Sequence, residues 1–153
     1  ITFRRTNYLG DDNTLNFSYI HSPVKKNMGK IGVLVSLKTS KSKTELLDFG
    51  KKLAMHIAAL SPLAIDKNTL DQNLLKKEKE IITEELKNSG KESKIADKIA
   101  NGKLNKFISD NTLINQEWVM EPKKKVKDVL KDIGGNETIE ITKFIRFKIG
   151  EGV

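Results

Sequence analysis

Lys52-Leu-Ala-Met-His-Ile-Ala-Ala-Leu-Ser-Pro-Leu63 reads as the end of an amphipathic helix that stops at Ser61-Pro62. Proline cannot continue a helix, and it pushes the residue before it out of the helical region. Upstream, Leu46, Leu47, Phe49, Leu53, Ala54, Ile57 and Ala58 cover one broad face, so the spacing predicts a helix from about Glu45 to Leu60. Polar residues Lys38 to Thr44 precede it as a loop.

Working outward toward the N-terminus, Gly32-Val-Leu-Val-Ser-Leu37 is strongly β-prone, and its near-continuous apolar run predicts a central strand. Leu15, Phe17 and Tyr19 alternate with polar neighbours, as do Ile1 and Phe3, which predicts two half-buried strands around the turn cluster Gly10-Asp-Asp-Asn13. His21-Ser-Pro23 is expected to end the second of these, with Val24 to Lys30 a basic loop.

Toward the C-terminus, Asp66, Asn68, Thr69 and Asp71 offer helix caps. Leu74, Leu75, Ile81, Ile82 and Leu86 form a narrow apolar seam among dense charges. Ser89-Gly90 stops that helix. A third helix carries Ile95, Ile99, Leu104, Phe107 and Ile108, with Gly102 weakening it locally. The turn between them is so short that the two must run antiparallel, so Asp71 to Asp110 reads as a projecting helical hairpin. Leu113 to Met120 looks extended, and Pro122 suits the first position of a short helix bearing Val126, Val129, Leu130 and Ile133. Gly134-Gly135-Asn136 breaks it, and Ile139, Ile141, Ile145, Phe147 and Ile149 mark a final strand. Clustered rather than alternating elements predict an α+β fold: an antiparallel sheet of about three to four strands packed with helices, plus the hairpin.

The 153 residues carry a net charge of +8, and among the basic residues only Arg4, Arg5 and Arg146 are arginine. The lysines are dispersed and mixed with acids on the helices, which favours a solvated surface over base-reading. A basic nucleic-acid-binding or RNA–protein scaffold is the alternative, and salt-dependent RNA retention distinguishes it. Cysteine is absent, which excludes disulfides, thiol catalysis and cysteine zinc sites. The chain opens on Ile1 with no charged-then-apolar leader and no long apolar run, so neither a secretory signal nor a membrane span is expected, and the opening suggests a segment cut from a longer protein.

No phosphate-cradling glycine loop and no His/Cys/Glu cluster at metal-ligand spacing occurs. The pairs Glu78/Glu80 and Glu84/Glu85 fall on a polar helix face, and the roles of nucleophile, base and oxyanion donor cannot be filled. The expectation is a non-enzyme that needs no cofactor.

Several segments together resemble one family. Met55 and His56 lie in a stretch similar to the "A-M-H-[IV]-A-A-x-x-P" segment of elongation factor Ts, the nucleotide-exchange factor for elongation factor Tu. Gly32-Val-Leu-Val35 resembles its "I-G-V-L-V" strand. Ser89-Gly-Lys91 with Ile95-Ala-Asp-Lys-Ile99, and Gly102-Lys-Leu-Asn-Lys-Phe107, resemble "S-G-K-P-x-x-I-x-E-K-[IM]" and "G-[KR]-[LM]-x-K-F". Gln116-Glu-Trp118 with Glu121-Pro122 and Val126, and Phe144-Ile-Arg-Phe147 with Gly150-Glu-Gly152, resemble the family's closing segments. Glu92 stands where the family has proline, and Lys125 where it has threonine. The motif "T-D-F-V-[AS]", which in the family disturbs the magnesium and phosphate side of the Tu nucleotide site, is absent from these residues, as is the family's N-terminal helical domain.

The resemblance implies a discontinuous C-terminal core subdomain, residues 1–68 and 112–153, interrupted by a dimerisation hairpin at 69–111. It implies elongation factor Tu as partner, a homodimer through the hairpin, and residence in a bacterial cytoplasm or an organelle matrix. His21 matches the histidine of the family's "S-Y-x-H" turn, and with Met55 and His56 it forms the expected partner-binding set. Trp118 and Phe107 are expected to pack internally.

Overall fold

The computed structural model describes residues 2–88 and 93–152. In chain order the elements are β1 (Leu15–Lys25), β2 (Met28–Lys38), α1 (Leu47–Leu60), α2 (Gln72–Lys87), α3 (Ser93–Asn111), a 3-10 turn (Leu113–Asn115), β3 (Glu117–Trp118), β4 (Glu121–Lys125), α4 (Val126–Gly134) and β5 (Glu140–Lys148). The strands form an antiparallel three-stranded sheet in the order β1-β2-β5 and a two-stranded ribbon β3-β4, so the α+β class holds. The expected Ser89-Gly90 stop lies outside the described residues.

The chain divides into two compact units, Ile1–Ser61 with Glu117–Val153, and Pro62–Gln116. In the first, β2 is the central strand. Val33, Val35 and Leu37 alternate onto one buried face, and Phe17 of β1 and Ile141 of β5 join them in register. α1 lies on this sheet. Gly50 permits the close approach, because a Cβ there would stand 2.2 Å from Cγ of Phe17. α1 also meets the β3-β4 ribbon, through Phe49 and His56 against Trp118. Two packing surfaces on one helix bury most of its circumference: Phe49, Leu53, Ala54, His56, Ile57 and Ala58 are all inside, whereas Leu47, assigned to the buried face, is exposed. The helix ends as expected. Ser61 adopts φ 48°, and its N–H donates to the Ile57 carbonyl at 3.0 Å.

Several expectations need correction. Leu113–Asn115 forms a 3-10 turn rather than extended chain, and Ile81, assigned to the helical seam, and Ile133, assigned to the buried face of α4, are exposed. Residues 2–10 form no strand, and Phe3 is exposed. β1 does not stop at Pro23 but runs to Lys25, and the expected loop from Val24 shrinks to a two-residue connection. As an edge strand, β1 can tolerate a proline whose missing N–H faces away from its one partner. Finally, Pro122 sits in β4 rather than opening a helix. β4 pairs with β3, and α4 starts at Val126, where the Lys125 N–H donates to the Asp128 carboxylate at 3.3 Å.

In the second unit, Leu74 and Leu75 near the start of α2 pack with Leu104, Phe107 and Ile108 near the end of α3, around buried Ala64 and Leu70. Lys103 bonds Glu85 at 2.6 Å, so the helices run antiparallel. Asp71 caps α2 by accepting the Asn73 N–H at 2.8 Å. The terminal carbonyls of α3 are taken up by side chains: Asn111 Nδ2 donates to Phe107, Thr112 Oγ1 to Ile108 and Gln116 Nε2 to Asp110, at 2.9, 2.6 and 2.8 Å. Residues 62–68 and 112–116 belong to this unit because they bond each other. Leu113 N donates to Ala64 O at 2.9 Å, and Ile114 N to Ile65 O at 3.0 Å.

Candidate partner-docking site

Sheet register decides which side chains share the exposed end of the first unit. Tyr19, Val33 and Arg146 form one row, and His21, Ile31 and Lys148 form the next row outward. The Arg146 Nε donates to the Ala58 carbonyl at 3.4 Å. The last turn of α1 therefore lies over the Tyr19 row, and His21 sits just beyond it. A guanidinium at a helix C-terminus also offsets the negative end of the dipole. Arg146 is held in turn by both Glu151 carboxylate oxygens, at 3.1 and 3.4 Å. Arg5 stacks over the Phe147 ring, 4.3 Å from its centroid.

His21 is exposed, and its Nδ1 is 3.1 Å from the Tyr19 hydroxyl. When that hydroxyl donates, the ring proton resides on Nε2, which is left to meet a partner. The neighbouring Ser22 has φ 50°, a strained value for a residue with a side chain. Met55, one turn before Ala58, is half-buried. His56 differs from both: it is fully buried, stacked on Trp118 with centroids 5.2 Å apart, and its Nδ1 accepts the Val119 N–H at 3.3 Å. The structure thus leaves His21 exposed and Met55 half-buried, and it buries His56. Trp118 and Phe107 pack internally as expected. Sequence reasoning assigned Arg146 no place in the site; the register and its bond to the Ala58 carbonyl show that it ties β5 to the last turn of α1.

Among the described residues no group of three His, Cys, Asp or Glu could hold a metal ion, and no buried side-chain nitrogen or oxygen lacks a hydrogen-bond partner. An open depression of about 430 Å³ is lined by Tyr8, Asp11, Lys38 and Lys143. At the start of α1 the Glu45 carboxyl is held below its ordinary value by the Ser42 hydroxyl, at 2.7 Å, and by the Ser42 N–H, at 2.8 Å. These reciprocal Ser42–Glu45 bonds close the turn that leads into α1, whose own N-cap is Leu46.

Comparison with known proteins identifies the family. The family model described as "Elongation factor TS" matches residues 1–151. Elongation factor Ts of Bartonella tribocorum is 40% identical over 157 residues, covering 100% of this chain and 50% of that protein. The factor of Erythrobacter litoralis is 41% identical over 139 residues, covering 88% and 44%, and that of Rickettsia felis 38% over 158 residues, covering 100% and 50%. The chain spans about half the length of the curated relatives it matches. With a family match over residues 1–151, 40% identity to a curated relative across the whole chain and an α+β fold, this chain belongs to the elongation factor Ts family.

Proposed function

We propose that these 153 residues are a docking and self-association part of a nucleotide-exchange factor, that their partner is elongation factor Tu, and that they work in the cytoplasm by binding rather than by bond-making. The observation that carries this reading is His21: exposed, held by Tyr19 and set beside the last turn of α1. His21 lies near the outer end of an edge strand, where a rigid sheet presents its side chain to solvent.

An exchange factor expels a nucleotide only by binding the empty partner more tightly than the nucleotide-bound one. A surface that binds both states equally holds the partner without discharging it. The sequence has docking segments and no T-D-F-V element, so this chain should bind Tu while barely accelerating GDP release. Stopped-flow release of fluorescent GDP at saturating chain measures this. Acceleration matching that of a full-length factor would refute the division of labour. His21→Ala should weaken calorimetric binding by about 1–2 kcal/mol, with stability changed by less than about 0.5 kcal/mol. A large stability loss would assign His21 to the fold instead. Ile81 and Ile95 on the helical hairpin are exposed apolar side chains, which supports self-association there; a monomer at all concentrations in sedimentation would rule that out.

A further inference from the structure

A two-residue connection, Lys26-Asn27, closes β1 onto β2, with Lys25 opposite Met28. Non-glycine residues on both sides of the tip adopt left-handed backbone, Ser22 at φ 50° and Asn27 at φ 60°. The register slips between Pro23 and Lys25, which makes Val24 the bulged residue. Gly29 stands where a Cβ would be 2.4 Å from the Ile20 Cγ2 and 2.7 Å from the His21 carbonyl oxygen, so the ribbon closes only with glycine there. Bulges re-aim side chains, and local strain concentrates where function requires one shape. The shape here leaves Val24 70% and Met28 60% exposed at the end of an ordered ribbon.

The ribbon itself carries one sign of charge, and Glu151, which follows the neighbouring strand, is engaged by Arg146 and Arg5. Residues 13–44, which contain both strands, include no Asp or Glu, while Lys25, Lys26 and Lys30 crowd the tip. Ile149, 72% exposed, donates its N–H to the Lys30 carbonyl at 3.0 Å, and Lys148 stands opposite Ile31. Two exposed apolar side chains ringed by lysines fit an apolar depression with an acidic rim. No aromatic side chain at the tip offers a base a stacking platform, which disfavours a nucleic acid.

We infer that the β1-β2 tip, Val24 to Met28, is a docking finger that seats Val24 and Met28 in an acidic-rimmed apolar depression of elongation factor Tu. This rests on the reading of Tu as partner. The finger continues the strand that carries His21, so both engage the partner from one end of the sheet. Because the ribbon is already ordered, little conformational entropy is lost on binding.

The test is titration of the 153-residue chain against Tu at low and high salt, with melting temperatures recorded alongside. Val24→Asp with Met28→Asp should weaken binding about tenfold without moving the melting temperature. Lys25→Gln with Lys26→Gln should slow association at low salt and lose most of that effect at high salt. If the aspartates lower the melting temperature, Val24→Thr with Met28→Gln keeps the shape and decides the matter. Unchanged affinity in these variants, with His21→Ala still weakened, overturns the finger but leaves Tu as the partner. No binding by the unaltered chain overturns both. Salt-dependent RNA retention that the lysine variant abolishes, with Tu affinity unchanged, assigns the tip to nucleic acid and overturns the inference.

Discussion

Replacing His56 with alanine separates a contact residue from a packing residue. In the structure its ring stacks on Trp118 at 5.2 Å and accepts the Val119 N–H at 3.3 Å, with no exposed surface. Loss of the stack costs about 1 kcal/mol. Leaving a part-buried N–H without an acceptor costs about 1 kcal/mol, the low end of the range because solvent can reach the turn. The void left between α1 and the β3-β4 ribbon adds about 1–2 kcal/mol. The sum is about 3–4 kcal/mol, or roughly 10 °C in melting temperature for a chain of this size. His56→Phe keeps the stack but removes the polar ring nitrogens and adds volume in a fully buried site, so it should recover only part of the loss. The assay is urea unfolding followed by circular dichroism, with Tu affinity measured on the folded variants. That affinity should move by less than about 0.5 kcal/mol. If His56→Ala left stability intact and abolished binding, the buried placement would be the wrong guide to its role.

Ile82, buried in the helical hairpin, should tolerate no charge: Ile82→Lys loses packing and must drag an ammonium toward solvent, costing about 2–4 kcal/mol and lowering helicity. Unchanged circular dichroism and melting would show that this seam is not buried. The Ser42–Glu45 turn predicts a pH effect of definite sign. Its carboxyl is lowered in the folded state, so the stability it supplies is present above the ordinary carboxylate value and lost as pH falls through the folded one. Glu45→Gln should make stability flatter across that acid window; an identical acid limb would show that the Glu45 carboxylate does not hold the turn.

Apolar periodicity by itself determined much of this protein. Val33, Val35 and Leu37 required a central strand, Phe49, Leu53 and Ile57 a buried helix stripe, and Ile82 and Leu86 a helical seam, because an apolar face must find cover whatever covers it. Ser61-Pro62 marked a helix end through a local steric rule. His21 is exposed, but its setting was not legible: it lies within β1, opposite Ile31, rather than on a strand-ending turn.

Tertiary structure decided what depends on a distant partner. Alternation at Ile1 and Phe3 is a strand signal that needs a neighbouring edge, and residues 2–10 pair with none among the described strands. Pro23 was read as a terminator, yet an edge position made its missing N–H harmless. Pro122 suited a helix start, but the ribbon formed with Glu117 and Trp118 claimed it first. His56 shows the principle most plainly. Beside Met55 on one helix it looked like a second contact, and only the arrival of Trp118 and Val119, more than sixty residues later, turns it inward. Local rules report what a segment can do with its own atoms, whereas burial of one particular side chain is settled by whichever remote surface packs against it.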